Sequence, residues 1–112
     1  MGKLVLLKTE QDFQAFRKSK PFQTKLLKIR VHYSQSQNIP RFGFIVPKKL
    51  VAKVVDRNLL KRRIKSVLSR QVLRVKPADV VFYPQKALVK ISFEKLSEEV
   101  NQLFTQARLW KS

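Results

Sequence analysis

Cysteine is absent from all 112 residues. Disulfides and thiolate metal sites are thereby excluded, and a reducing compartment, the cytoplasm, is the expectation. Histidine occurs once, as His32, and acidic residues number only 7. A Cys/His catalytic pair cannot be assembled, and a Ser/His/acid arrangement would need a carboxylate beside His32, whose near neighbours Lys28 and Arg30 are basic. Glu94, Glu98 and Glu99 fall in the first two turns of a predicted helix, where carboxylates serve the helix dipole and solubility. No catalytic residue and no metal ligand is therefore assigned, which argues against a stand-alone nuclease. Long apolar runs are missing too. The opening "MGKLVLLKTE" has four consecutive apolar residues, too few for a signal-peptide core, and no later run approaches membrane-spanning length, so no membrane association is expected.

What the chain has in excess is positive charge: 25 Lys and Arg, for a net charge of +18, with 44% hydrophobic residues. That hydrophobic share fits a packed domain and not a disordered basic tail. The length supports one domain, residues 1–112, with a modest core. The charge is also clustered. Eleven cations lie between Lys48 and Lys76, opposed by Asp56 alone. Like charge held so densely destabilises a compact state, so a polyanionic partner is its physical justification.

Periodicity supplies the elements. "TEQD" (residues 9–12) has capping-box spacing with Asp12 in the acidic place, predicting a short helix over 10–19 that carries Phe13 and Phe16. "KLLKIRVHY" (25–33) alternates, with Leu27, Ile29, Val31 and Tyr33 on one face and Leu26, Lys28, Arg30 and His32 on the other, as in a strand with a basic second face. "RFGFIVP" (41–47) reads as its antiparallel partner beyond a polar connector. Residues 53–73 form the longest helical candidate, and 79–84 a buried strand. "QKALVK" is ambiguous. Ser92 caps a last helix with Leu96, Val100, Leu103, Phe104 and Ala107 on one stripe. The order helix, strands, helix, strand, helix defines an α+β domain.

Within the long helix Leu60, Ile64, Val67 and Leu68 make an apolar stripe, while Asn58, Lys61, Arg62 and Lys65 make a cationic one. A merely solvated face would mix signs to gain i, i+4 pairs worth about 0.2–0.5 kcal/mol each, whereas Lys61/Lys65 and Arg62/Lys65 repel. The second stripe therefore reads as a polyanion surface. Zinc-finger spacing, a heptad zipper and an RRM-type aromatic strand are all missing, so the common nucleic-acid modules are disfavoured. Phe42 and Phe44 read as core.

The run "FGFIVPKKLVAKVVDRNLLKRRIKSVLSR" (42–70) resembles the signature of the bacterial ribonuclease P protein subunit: a strand, a Lys-Lys pair, then a helix bearing Arg-Asn-x-x-Lys-Arg. "DFQAF" upstream resembles the family's first-helix Phe motif, and "DVVFYPQKAL" with the helix after it resembles its C-terminal half. The resemblance implies a fold with a left-handed parallel crossover, where connection statistics favour a right-handed one. It implies an accessory subunit for an RNA-catalysed endonuclease that removes the 5′ leader of precursor tRNA. Magnesium would come through the RNA subunit, the protein holding no cofactor of its own. The implied partners are the catalytic RNA and precursor tRNA, with no obligate protein partner evident. Carried over position by position, Lys48, Lys49, Lys53, Arg57, Asn58, Lys61, Arg62 and Lys65 would bind the catalytic RNA, Lys65 standing where the family usually has Arg. Phe13, Phe16, Lys28 and Arg30 would bind the leader, by base stacking and backbone contacts.

The chain departs from the signature at Leu59, where the family has a further Arg, so that one cationic contact is lost or moved to Arg63. Pro47 replaces a small residue, Val51 replaces a common Gly, and Phe13 and Phe16 are one residue closer together than the usual pair. The competing reading is a general RNA-binding or ribosome-associated protein with no role in tRNA maturation.

Overall fold

A computed structural model describes residues 4–7, 19–33 and 38–111. Five strands form one sheet: β1 (Val5–Leu6), β2 (Lys20–Gln23), β3 (Leu27–Tyr33), β4 (Arg41–Phe44) and β5 (Ala78–Pro84), in the order β1-β4-β5-β3-β2. Two helices, α1 (Val54–Gln71) and α2 (Phe93–Gln106), are described with it. The ambiguous segment is a 3-10 turn, Lys86–Val89. The short helix expected over 10–19, with Phe13 and Phe16, lies outside the described residues.

One expectation is corrected. β3 and β4 are not an antiparallel pair; β5 lies between them, antiparallel to β3 and parallel to β4. The physical reason lies in burial. Every residue of β5 but Tyr83 is buried, and a strand that apolar on both faces belongs at the centre of a sheet rather than at its edge. β3, with one polar face, can flank it.

The alternation in β3 is as expected at its inner end: Leu27, Ile29 and Val31 are buried, whereas Tyr33 is half exposed and donates its hydroxyl to the carbonyl of Ala107 at 2.7 Å. Ile29 pairs with Phe82 and Val31 with Val80, and Phe42 pairs with Val80 from the other side. These side chains therefore share one face of the sheet, in one core with the α1 stripe Leu60, Ile64, Val67 and Leu68 and with Leu96, Val100, Leu103 and Phe104 of α2. Phe82 is the centre of an aromatic group, with ring centroids 6.2 Å from Phe42, 5.6 Å from Phe44 and 6.1 Å from Phe104.

Ser92 caps α2 as the sequence predicts, its Oγ accepting from the Lys95 amide at 3.1 Å. At the other end Arg108 takes a left-handed conformation, φ 54°, where glycine is the usual choice. Its amide donates to Thr105 and that of Leu109 to Phe104, which terminates the helix and turns the buried Leu109 into the core.

Candidate nucleic-acid interface

Two cationic surfaces flank the core. The first runs along α1 and the loop before it. Asn58 and Arg62 are exposed, and Lys61 and Lys65 are half-buried. They cannot all extend alike, because the Lys65 ammonium lies 5.8 Å from the ring centre of Phe44, a cation–π contact that holds it against the sheet edge. Lys48, Lys49 and Lys53 are exposed on the loop. Among the described residues no carboxylate lies in salt-bridge range of any of these cations.

Two arginines of the same helix are committed elsewhere. Arg57 donates through Nη1 to the carbonyls of Val51 and Ala52, both at 2.9 Å. It closes the start of α1 onto its own leading loop. Arg63 donates to the carbonyls of Leu88, Val89 and Ile91, clamping the 3-10 turn to the helix. A guanidinium so occupied offers few donors to a second partner, so Arg63 is poorly placed to replace the cation absent at Leu59.

The second surface is the other face of the sheet. Register puts Lys28 opposite Tyr83, Arg30 opposite Val81 and His32 opposite Asp79. The Lys28 ammonium lies 5.6 Å from the centre of the Tyr83 ring. Arg30 reaches Ser19 through Nε to Oγ at 2.8 Å and through Nη2 to the carbonyl at 3.3 Å, tying β3 to the residue that precedes β2. Asp79 is buried and receives both Nε and Nη2 of Arg41, at 2.8 and 2.7 Å. Such a bidentate pair fixes the guanidinium geometry on the open face. Among the described residues no three His, Cys, Asp or Glu side chains group together as a metal site, and no helix is long and apolar enough to cross a membrane.

A groove of about 330 Å³ joins the two surfaces, lined by Lys28 and Tyr83 from the sheet, Ile45 and Pro47 after β4, and Leu50 beyond the lysine pair. Lys28 is thus brought close to the Lys48–Lys49 loop, a juxtaposition that strand alternation alone does not reveal. Tyr83 is the residue that sequence reading missed. It lies in a run of apolar residues and reads as core, and only the pairing of β5 with β3 shows that it faces the cations.

Burial raises the pKa of both tyrosines, Tyr33 and Tyr83, above the ordinary phenol value, partly offset by Arg108 and Arg30 respectively. A phenol whose folded-state pKa is raised contributes stability that is complete below about pH 10 and is lost as the pH rises through the folded value. Because the chain has only two tyrosines, the ultraviolet absorbance of phenolate in an alkaline titration reports on both. Its midpoint should lie above that of the denatured chain, and coincident curves would contradict the burial of the two rings.

The fold and these surfaces define a class: a small α+β domain presenting one-sign cationic surfaces on a helix and on an open sheet face. Comparison with known proteins narrows it. The chain belongs to the ribonuclease P family, whose model, described as Ribonuclease P, matches residues 1–108. It is 34% identical to the ribonuclease P protein component of Synechocystis sp. over 109 residues, covering 96% of this chain and 88% of the relative. It is 28% identical to that of Streptococcus pyogenes serotype M5, covering 97% and 91%. The RNase P protein of Thermotoga maritima superposes with a TM-score of 0.74 at 26% identity, over 87% of this chain and 93% of that one. The Staphylococcus aureus RNase P protein shares the fold, with a TM-score of 0.85 at 18% identity over 97% and 100%. The chain's role is that of the protein subunit of ribonuclease P, a ribonucleoprotein in which its partner is RNA. That removes the reading of a general RNA-binding protein outside tRNA processing.

Proposed function

We propose that this subunit binds the RNA subunit through α1 and its leading loop, and the 5′ leader of precursor tRNA across the open sheet face, while the RNA supplies the catalytic centre with its magnesium. The observation that carries the reading is the alignment of Asn58, Lys61, Arg62 and Lys65 along one side of α1, continued by Lys48, Lys49 and Lys53. Phosphates replace their condensed counterions with such a row of cations, and the release of those ions drives binding. Arg57 contributes by shaping the loop, since its guanidinium is spent on Val51 and Ala52.

Lys28 and Arg30, with Phe13 and Phe16, are assigned to the leader. A surface that holds only the leader favours precursor over mature tRNA, because cleavage removes what it holds. The protein thereby assists a reaction without touching the scissile bond, in the cytoplasm, where precursor tRNA is met.

Cleavage of precursor tRNA by the cognate catalytic RNA at low magnesium, with and without the protein, tests this function; the protein should stimulate leader removal, and no stimulation would end the reading. Arg62→Ala tests the surface. It should leave the unfolding midpoint in place and reduce the slope of log affinity for the RNA subunit against log salt by about 0.7–0.9, the share of one phosphate contact.

A further inference from the structure

At the head of α1 three apolar side chains stand in solvent: Leu50 is 61% exposed, Val54 59% and Val55 74%. They fall within six consecutive residues, interleaved with the exposed lysines 48, 49 and 53. Helix formation gives no reason for them. The first turn of a helix favours Ser, Thr, Asp or Asn as its cap and acids just after it. Here the cap position holds Lys53, which makes no side-chain capping bond, followed by two β-branched valines.

The segment is nevertheless held in place. Val51 is fully buried between the exposed positions. The amides of Leu50 and Val51 both bond to the carbonyl of Pro47, at 3.1 and 3.0 Å. Arg57 grips the carbonyls of Val51 and Ala52 from the helix side. Leu50, Val54 and Val55 are therefore displayed on a braced backbone, and little conformational entropy is left to lose when something covers them.

We propose that this patch receives an unstacked nucleobase of the RNA subunit. The inference rests on the reading of α1 as the RNA-binding surface. The lysines select the occupant. An apolar protein face seated here would have to desolvate three ammonium groups with nothing to pair them, whereas a looped-out nucleotide brings an apolar base face together with phosphates on either side. The patch is also continuous along the chain with the cationic side of α1, so a strand running along that side reaches it without a turn in direction. Contact with a base differs from contact with phosphate in one measurable respect: it adds affinity without releasing counterions.

The test is the salt dependence of binding between the full chain and the catalytic RNA transcribed in vitro. The double variant Leu50→Ser/Val55→Ser keeps every charge and alters only exposed side chains. Its unfolding midpoint should match the wild type, and its affinity should fall roughly tenfold at every salt concentration with the slope unchanged, the loss expected from one base contact. Lys49→Ala should do the opposite, lowering the slope by about 0.7–0.9. Val55→Trp supplies a ring that stacks on a base; it should bind at least as tightly as wild type, and its added fluorescence should be quenched by the RNA. Wild-type affinity in the double Ser variant, or a loss that appears as a change in slope, would overturn the base contact while leaving the cationic surface intact. Wild-type slope in both Lys49→Ala and Arg62→Ala would instead overturn the reading of α1 on which it rests.

Discussion

Phe82→Ala should cost about 3–5 kcal/mol of folding stability, the range for emptying a fully enclosed aromatic site. Small domains have only about 5–15 kcal/mol in total, so the variant should be substantially unfolded at temperatures the wild type tolerates. The size of the effect follows from position. Phe82 has no exposed surface, lies in the central strand, and touches three other rings contributed by β4 and α2. Neighbours fixed in two layers cannot close over the space, and a cavity that stays open retains its full penalty. Denaturant unfolding followed by circular dichroism measures it, with the midpoint falling and the dependence on denaturant little changed. A loss below about 1.5 kcal/mol would mean that α2 shifts to fill the gap. Leu60→Ala and Ile64→Ala act on the same core from the α1 side, where both side chains are enclosed.

The second large effect concerns RNA. Lys61→Ala/Arg62→Ala/Lys65→Ala removes three cations from one side of α1 and leaves its buried stripe untouched. Each phosphate contact contributes about 0.7–0.9 to the salt slope, so the triple variant should lose about 2–3 in total. Between about 50 and about 200 mM salt, the advantage of wild type over variant should then shrink roughly thirtyfold. Stability should change little, since the removed charges repel one another and only Lys65 makes a further contact, over Phe44. Filter binding or fluorescence titration across a salt series gives the slope. A triple variant with wild-type slope would assign the phosphate contacts to the loop lysines or to the sheet face.

The legible parts of this fold are those written in a short period. Leu60, Ile64, Val67 and Leu68 recur at helical spacing and all four are buried; the alternation in β3 and the cap at Ser92 are local patterns of the same kind. Strand order is not written that way. The sequence places the segment 41–47 next after 25–33 and suggests a hairpin, while the pairing is decided by the burial of β5 on both faces. β1 has two residues and β2 four, one of them Pro21. Segments so short carry no period, and a proline is tolerated there because β2 is an edge strand.

The candidate surfaces divide along the same line. Charge type and helical side identify Lys61, Arg62 and Asn58 without a structure. Arg57 and Arg63 could not be separated from them, because a guanidinium on a long stem reaches carbonyls outside its own helix, six residues before Arg57 and up to 28 after Arg63. Tyr83 was hidden for the converse reason: a tyrosine in an apolar run shows its hydroxyl-bearing face only once its strand partner is known.

The insertion of β5 between β3 and β4 also has a consequence for biosynthesis. Both neighbours of the central strand are made some 34 or more residues before it, β4 ending at Phe44 and β5 beginning at Ala78. Until β5 leaves the ribosome neither can complete its ladder, and the apolar stripe of α1 has no sheet to cover. The basic half of the molecule therefore emerges unfolded, its cations spread along an extended chain beside ribosomal RNA, and becomes a shaped surface only when the last third of the polypeptide arrives. Such long-range pairing slows folding, since the loop must close before any contact repays it. A nascent chain stalled ahead of Ala78 is a polycation without a fold.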